Sequence, residues 1–223
     1  MKKQIKIAFV IDELIISIWK YKLIKRILIE KIADICYIII RSKEFTSKKN
    51  TGSKIQNFHI KLDKNYYKPS PDAFEDKTLK DLFPEENKWI SSGFADKLKN
   101  ESVDFLIWLS DETPEDIFYK DLKHGILFFS HGKKNTRFSH FGYEEFIKMN
   151  GVISSSLILK KNISDLGKII SQTWSTMPSL SLSRSRNEHA WKLHSFIPRA
   201  LNNFSKEGES FFSNKPQYLK KEN

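Results

Sequence analysis

His131 and Asp165 are the two side chains whose type and position are best suited to catalysis. His131 lies just after the apolar run 126–129, in a turn that also contains Ser130, and Asp165 lies on the loop that follows a second apolar run, 152–159. An imidazole and a carboxylate on loops at strand ends could together move protons to and from a substrate. We therefore predict that His131, Asp165 and Ser130 belong to a catalytic site.

The elements that must position these residues follow an α/β pattern. Apolar runs predict strands at 5–11, 34–40, 103–109, 126–129, 152–159 and 168–173. Apolar spacing predicts helices at 14–32, 87–99, 115–122, 143–149 and 180–204, and weak alternation at 55–62 indicates a short strand. This order predicts a three-layer α/β fold with a mostly parallel sheet flanked by helices. We assign residues 1–204 to this domain and 205–223 to a polar, frayed tail.

The order of motifs between residues 124 and 172 resembles the amino-terminal catalytic domain of the folate-dependent formyltransferases. A strand led by Gly125 is followed by the His131 turn, a loop and helix, an Asn-Gly-Val strand start, and the pattern Asp-x-Gly-x-Ile-x-x-Gln from Asp165. This group includes methionyl-tRNA, glycinamide-ribonucleotide and amino-sugar formyltransferases. In outline, residues 4–201 are similar to a divergent variant that occurs in polysaccharide-related proteins. The resemblance implies a Rossmann-type formyltransferase fold.

The catalytic residues of that family map onto this chain in part. Asp165 falls on the family's catalytic Asp, and Gly167 follows it as the motif requires. Counted from the start of the strand, the family's Asn falls on Phe128 and its His falls on Ser130, one position before His131. The resemblance therefore implies that His131 and Asp165 are catalytic, with Ser130 beside them, while Phe128 offers no polar atom in place of the Asn.

The resemblance also implies a formyl donor, 10-formyltetrahydrofolate, and a small-molecule amine as acceptor. Formyl transfer passes through a tetrahedral oxyanion, so the site needs a hydrogen-bond donor for that oxygen and a group that relays the amine proton. The cofactor contacts implied by the resemblance are Ser110, Asp111, Pro114 and Gly167. The loop 133–140 is either a solvated basic loop or a contact to the amine substrate and its phosphate, through Lys133, Arg137 and His140.

Two hypotheses of different classes remain open. The first is a formyltransferase that acts on an amino sugar or a nucleotide-linked sugar. The second is a catalytically degenerate member that serves as a binding or partner module in surface-polysaccharide biosynthesis and has a protein partner. Phe128 favours the second and Asp165 favours the first. A Ser-His-Asp hydrolase is disfavoured, because no Gly-x-Ser-x-Gly motif occurs and the adjacent side chains of Ser130 and His131 point apart.

Charge and composition limit the partners. The 223 residues carry a formal net charge of +11, which attracts polyanions. Lysine is spread from Lys2 to Lys221, however, and no clustered basic segment stands out, so we do not expect a nucleic-acid partner. The single cysteine, Cys36, gives neither a disulfide framework nor a Cys-based metal site, and the histidines lack carboxylates at ligand spacing. We expect no bound metal and a reducing, cytoplasmic location.

Two other classes are excluded by pattern. The first glycine is Gly52, so the segment after the first strand lacks the Gly-x-Gly-x-x-Gly fingerprint of dinucleotide-binding proteins. The apolar run 5–11 is broken by Lys6, and no run approaches the ~18 consecutive apolar residues of a membrane span. We therefore expect neither secretion nor a membrane-spanning segment.

Overall fold

The computed structural model describes residues 4–41, 54–85, 88–91, 94–120, 122–132, 142–147, 151–177 and 181–217. The strands are β1 (Lys6–Ile11), β2 (Ile15–Ser17), β3 (Asp34–Ile40), β4 (Asp76–Thr78), β5 (Trp89–Ile90), β6 (Phe105–Trp108), β7 (Gly125–His131), β8 (Val152–Lys160) and β9 (Lys168–Thr176). The helices are α1 (Ile18–Ile29), α2 (Lys54–Tyr66), α3 (Phe94–Glu101), α4 (Tyr143–Ile147), α5 (Leu182–Leu193), α6 (Phe196–Glu207) and α7 (Ser210–Ser213). Short 3-10 turns occur at Leu79–Asp81 and Asp116–Tyr119.

Seven of the strands form one sheet in the order β5-β3-β1-β6-β7-β8-β9. The pairs from β5 to β7 are parallel, whereas β8 runs antiparallel to both β7 and β9. The chain therefore proceeds from β1 to β3 on one side and returns to β6 on the other. The carboxyl ends of β1 and β6 flank the point where the strand order reverses, which is where α/β sheets commonly bind ligands.

Helices cover both faces of the sheet, as the three-layer prediction requires. One core joins residues such as Phe9 and Phe105 to the buried side chains of α1, α5 and α6. The other joins Val10 and Trp108 to α3 and the 3-10 turn at Asp116–Tyr119. Adjacent residues of β1 enter different cores because successive side chains of a strand point to opposite faces. The predicted mostly parallel α/β sheet is confirmed.

Some predicted elements differ from those observed. The segment 55–62 was predicted as a strand, but it lies within helix α2, where Phe58 and Leu62 follow helical spacing. The predicted helix at 87–99 begins as the edge strand β5 and becomes helical only at Phe94. The predicted helix 14–32 begins with the short strand β2, which pairs with β4, and becomes helical at Ile18.

The carboxy-terminal segment also packs more closely than predicted. Phe211 and Phe212 of α7 are each only 7% exposed and belong to the core around α6. The Ile169 amide donates a hydrogen bond to the carbonyl of Pro216 at 2.9 Å, next to an isolated bridge between Lys168 and Gln217. The predicted frayed tail is therefore part of the packed structure as far as Gln217, because its two phenylalanines bury apolar surface.

Candidate active site

A narrow cleft opens at the carboxyl ends of β1, β6 and β7, beside the point where the strand order reverses. Its lining comes from three segments: α1, the end of β6 with the loop after it, and the end of β7. The lining residues are Trp19 and Lys20, then Trp108, Leu109, Ser110, Asp111, Glu112 and Thr113, and finally Phe128, Phe129 and His131. The cavity has a volume of about 40 Å³, which is room for water or a small polar group. Residues from three separate segments thus meet around a small polar space.

His131 is the last residue of β7 and is held on the inner side of this cleft. Its side chain is buried, with 5% exposure, and its ring stacks near that of Phe129 with centroids 6.1 Å apart. The antiparallel register between β7 and β8 places His131 opposite Ser155. The Nδ1 atom of His131 consequently lies 2.7 Å from the Oγ atom of Ser155.

Ser155 continues this contact into a longer hydrogen-bonded series, which we call the histidine–serine chain. Its Oγ atom also lies 2.8 Å from Nε2 of His189, on helix α5. Nδ1 of His189 lies 2.8 Å from Oγ of Ser175, and the Nζ atom of Lys192 donates to that same oxygen at 2.9 Å. The chain thus runs from the cleft through the buried interior to Lys192, which is exposed.

The buried position keeps both imidazoles neutral near pH 7. Burial lowers the pKa of His131 well below its ordinary value, and the charges of His189, Lys20 and Arg186 act in the same direction. Burial, with a smaller contribution from Lys192, lowers the pKa of His189 to about 4. In a neutral imidazole one nitrogen donates through its N–H and the other accepts. Each ring can therefore donate a hydrogen bond at one nitrogen and accept one at the other.

Only one bond of this chain has a fixed direction, because the ammonium group of Lys192 can only donate. The Ser175 oxygen, which accepts from Lys192, can either donate to Nδ1 of His189 or accept from it as well. When Ser175 donates, Nε2 of His189 donates to Ser155, and the Ser155 hydroxyl donates to Nδ1 of His131. In that tautomer the ring proton of His131 is on Nε2, and His131 is a hydrogen-bond donor there.

A buried cation organises the other side of the cleft, in what we call the Arg41 cluster. The Arg41 side chain is 1% exposed and binds Glu115 at 2.7 Å, Glu112 at 3.1 Å and Asp12 at 3.5 Å. Its Nη1 atom also donates to Ser110 Oγ at 3.0 Å. The cluster joins the carboxyl ends of three neighbouring strands and holds the loop after β6 in place.

The cleft carries excess negative charge. Asp111 forms an ion pair with Lys20 at 3.2 Å, and the Lys20 ammonium also donates to the Leu109 carbonyl at 2.7 Å. Together with the Arg41 cluster, four carboxylates here face three cations, because the charge of the buried Arg186 also reaches His131 and Asp111. A cluster of this sign attracts a protonated amine more readily than an anion.

The structure brings some of the predicted site residues together. Ser110 and Asp111, predicted from the resemblance, line the same cleft as His131. Pro114 is buried in the same loop, between lining residue Thr113 and Glu115 of the Arg41 cluster. Three predicted substrate contacts lie outside the described residues: Lys133, Arg137 and His140.

The structure does not place Asp165 next to His131. Ser155 pairs with His131 near one end of β8, whereas Asp165 follows Lys160 at its other end, so the two ends are separated by roughly 17 Å of strand. The carboxylate of Asp165 instead accepts hydrogen bonds from the amides of Lys161 at 3.1 Å and Gly167 at 3.0 Å. Asp165 therefore shapes the loop between β8 and β9.

Gly167 and Ser130 are also displaced from the cleft. Gly167 has φ +83°, and a Cβ atom there would lie 2.8 Å from the Ile158 side chain, so glycine is needed for the β8–β9 connection. Ser130 is buried opposite Ser156 and precedes His131 on β7, so the two side chains point to opposite faces. The structure therefore places neither Ser130 nor Gly167 in the lining of the cleft at His131.

Sequence reasoning missed the partners of His131. Ser155, Ser175 and His189 are buried, and they are 1%, 7% and 0% exposed. The available signal was the run of serines 154–156 inside an otherwise apolar strand, since a buried hydroxyl needs a partner.

Among the described residues, no group of three or more His, Cys, Asp or Glu side chains is arranged to hold a metal ion. Within the same residues, no helix has the length and apolar character needed to span a membrane.

Comparison with known proteins places this geometry on a known fold. The sequence matches no protein-family model, and no curated protein matches it. In structure, the chain is similar to phosphoribosylglycinamide formyltransferase from Bacillus halodurans, with a TM-score of 0.54 and 13% identity over 93% of this chain and 99% of that one. Glycinamide ribonucleotide transformylase 1 from Symbiobacterium toebii gives a TM-score of 0.54 and 12% identity over 91% and 88%.

A third structure has the same fold. Formyltetrahydrofolate deformylase from Pseudomonas putida gives a TM-score of 0.53 and 10% identity, and the match covers 93% of this chain and 67% of that one. At such identities the likeness establishes the fold alone. The chain has the formyltransferase fold, and the resemblance drawn from its sequence motifs is confirmed at that level.

Proposed function

We propose that this chain is a formyltransferase that moves a formyl group from 10-formyltetrahydrofolate to the amine of an amino sugar or a nucleotide-linked sugar. The observation that carries the proposal is His131 at the cleft, with its Nδ1 atom held by Ser155 and its ring fixed by the histidine–serine chain that ends at Lys192. The formyltransferase fold supports the type of reaction, since the cleft lies at the sheet edge where such folds bind ligands.

His131 is suited to bind the formyl oxygen. The Nε2–H group of a neutral imidazole can donate to an oxygen on which negative charge develops, and its burial strengthens that bond. The histidine–serine chain fixes the ring, so no reorientation is needed during the reaction. His131 thus donates a hydrogen bond of the kind that Phe128, which has no polar side-chain atom, cannot donate.

Asp111 is suited to take the proton of the attacking amine. Two carboxylates line the cleft together with His131, and Glu112 is bound to Arg41, whereas the side chain of Asp111 is 35% exposed beside Lys20. A carboxylate accepts the proton as the new C–N bond forms, and it returns that proton to the leaving nitrogen as the old bond breaks. The carboxylate that the resemblance placed at Asp165 is thus supplied by a different loop.

The described cleft fits the formyl-bearing end of the donor. Its volume of about 40 Å³ admits a formyl group, and four aromatic side chains line it: Trp19, Trp108, Phe128 and Phe129. Such walls suit a flat ring next to the reacting carbon. When bound, 10-formyltetrahydrofolate would supply the formyl group and a nitrogen leaving group. Ser110 and Asp111, at the mouth of the loop after β6, would contact it.

The test is formyl transfer in a purified system. The protein is incubated with 10-formyltetrahydrofolate and a panel of amino sugars and their nucleotide-linked forms, and formylated products are detected by mass spectrometry. We expect one acceptor class to be formylated, and His131→Asn to lower kcat by about a hundred- to a thousandfold. The matched control is His194→Asn, because His194 lies at the carboxyl end of α5, outside the cleft.

Two results would overturn the proposal. One is full activity of folded His131→Asn, which would remove His131 from the reaction. The other is the absence of any formylated product together with no calorimetric binding of 5-formyltetrahydrofolate, a stable analogue of the donor, at millimolar concentration. That second result would favour the alternative, a binding or partner module that keeps the fold without turnover.

A further inference from the structure

A second and larger cavity, which we call the aromatic groove, lies between α1, α5 and the segment after α2. Its volume is about 660 Å³, within the usual range for small-ligand sites. Its main side chains are Lys22, Tyr66, Tyr67, Lys68, Arg184 and Trp191. None of these residues lines the cleft at His131. The groove is therefore a separate site.

The wall formed by Trp191 is fixed by hydrogen bonds. The indole Nε1–H of Trp191 donates to the Pro71 carbonyl at 3.2 Å, and Nδ2 of Asn187 donates to the same oxygen at 3.1 Å. Asn187 in turn accepts a hydrogen bond from the amide of Ala73. These contacts tie α5 to the segment after α2. They also hold the indole ring in place.

Two tyrosines complete the aromatic surface. Tyr66 is 82% exposed and Tyr67 is 45% exposed, although large aromatic side chains usually bury much of their surface. Exposed aromatic side chains that share a concave site with a fixed tryptophan are suited to stack on the flat ring of a ligand. The groove thus offers stacking surfaces that the core of this protein does not use.

The charges of the groove complement an anion. Lys22, Lys68 and Arg184 are cations, and Glu188 pairs with Arg184 through a 3.3 Å contact. The Nζ atom of Lys22 lies 4.5 Å from the centre of the Trp191 ring, so positive charge and a stacking surface are adjacent. This excess of positive charge is opposite in sign to the cleft at His131.

We propose that the aromatic groove binds a nucleotide, with the base stacked on the tyrosines or Trp191 and the phosphate held by Lys22 and Lys68. A flat ring and an anionic group at short spacing are the two features that this lining recognises together. The inference does not depend on formyl transfer, because the groove and the cleft have separate linings. A nucleotide can bind here whether or not the protein turns over a formyl donor.

The test is calorimetric titration of the full chain with uridine, thymidine and adenosine diphosphates. Uridine and inorganic pyrophosphate serve as probes of the two halves of the ligand. We expect saturable binding of at least one diphosphate, and at least about tenfold weaker binding of each half alone, since each half lacks either the stacking or the phosphate contacts. Tyr66→Ala and Lys22→Ala should each weaken binding by a similar factor, and Tyr66 is so exposed that its removal leaves the fold intact.

Two control variants test whether the nucleotide occupies this groove. Lys97→Ala, on the exposed surface of α3, should bind the diphosphate as tightly as the original protein does, and so should His131→Asn. Absence of binding by every diphosphate at millimolar concentration would overturn the proposal. Undiminished binding by a folded Tyr66→Ala, Lys22→Ala double variant would overturn it too, since the nucleotide would then lie elsewhere.

Discussion

The Oγ atom of Ser155 lies 2.7 Å from Nδ1 of His131, although 24 residues separate them in sequence. Antiparallel pairing of β7 with β8 makes this contact, because it sets the two residues directly opposite each other. Ser155 also meets His189 from helix α5 at 2.8 Å. The hydroxyl of Ser155, on β8, thus links His131 on β7 to His189 on α5, and this link holds the ring of His131 in place.

Removal of that hydroxyl should cost both stability and turnover. In Ser155→Ala, facing nitrogen atoms of His131 and His189 lose a buried partner, so we expect the free energy of unfolding to fall by about 1–3 kcal/mol. The ring of His131 also loses the contact that orients it, so kcat for formyl transfer should fall. Urea unfolding and steady-state kinetics measure the two effects. Ser154→Ala, at the preceding and less buried position of β8, is the control. Equal behaviour of the two variants would show that the Ser155 bridge is unimportant.

Acid should destabilise the protein through its buried histidines. The folded pKa of His189 is about 4, below its ordinary value of 6.5, and that of His131 is lowered as well. A lowered histidine pKa means that the unfolded state binds more protons, so stability is fully present above about pH 6.5 and falls as the pH drops towards 4.

The size of this effect can be isolated with His189→Gln. The original protein should lose on the order of 3 kcal/mol more than this variant between pH 7 and pH 4, since one pKa unit corresponds to about 1.4 kcal/mol. Chemical unfolding at several pH values measures the difference. Parallel pH profiles of the two proteins would contradict the assignment of His189 as a neutral, buried group.

Arg41 should be essential for the shape of the cleft. Its replacement by methionine removes the cation that binds Asp12, Glu112 and Glu115 and leaves these carboxylates facing one another. Breaking a buried pair in this way typically costs about 3–5 kcal/mol. We expect a loss of this size in chemical unfolding, and partial recovery when Glu112→Gln is added to Arg41→Met. A double variant no more stable than the single one would indicate that repulsion between the carboxylates is not the cause.

Much of the sheet could be predicted from the sequence, because its central strands are continuously apolar. β3 has the predicted bounds, 34–40, and β1 differs from its prediction by one residue. The edges were harder, since β5 has only two residues and leaves no periodic pattern to detect. In the segment 55–62, the weak alternation at Phe58, Ile60 and Leu62 concealed the spacing of helix α2.

The loop after β6 is the part of the site that could be predicted from the sequence. Ser110 and Asp111 follow a strand parallel to β7, so they reach the same sheet edge as His131. Asp165 follows β8, and the sequence does not reveal that β8 runs antiparallel to β7. An apolar strand has the same composition in either direction. Because β8 runs antiparallel to β7, Asp165 lies at the opposite end of the sheet from His131. The partner of His131 is instead Ser155, on β8 itself.

Asp165 should accordingly matter for stability and not for chemistry. In Asp165→Ala the amides of Lys161 and Gly167 lose their acceptor at the β8–β9 loop. We expect unfolding to become easier by about 1–2 kcal/mol, because these bonds are partly exposed, while kcat for formyl transfer stays within about twofold of the original value. Gly167→Ala should be more damaging than Asp165→Ala, since the added Cβ would lie 2.8 Å from Ile158 in a left-handed backbone conformation. A loss of kcat comparable with that of His131→Asn, in a folded Asp165→Ala protein, would mean that this carboxylate reaches the reacting atoms after all. It would also move the proton-accepting role from Asp111 back to Asp165.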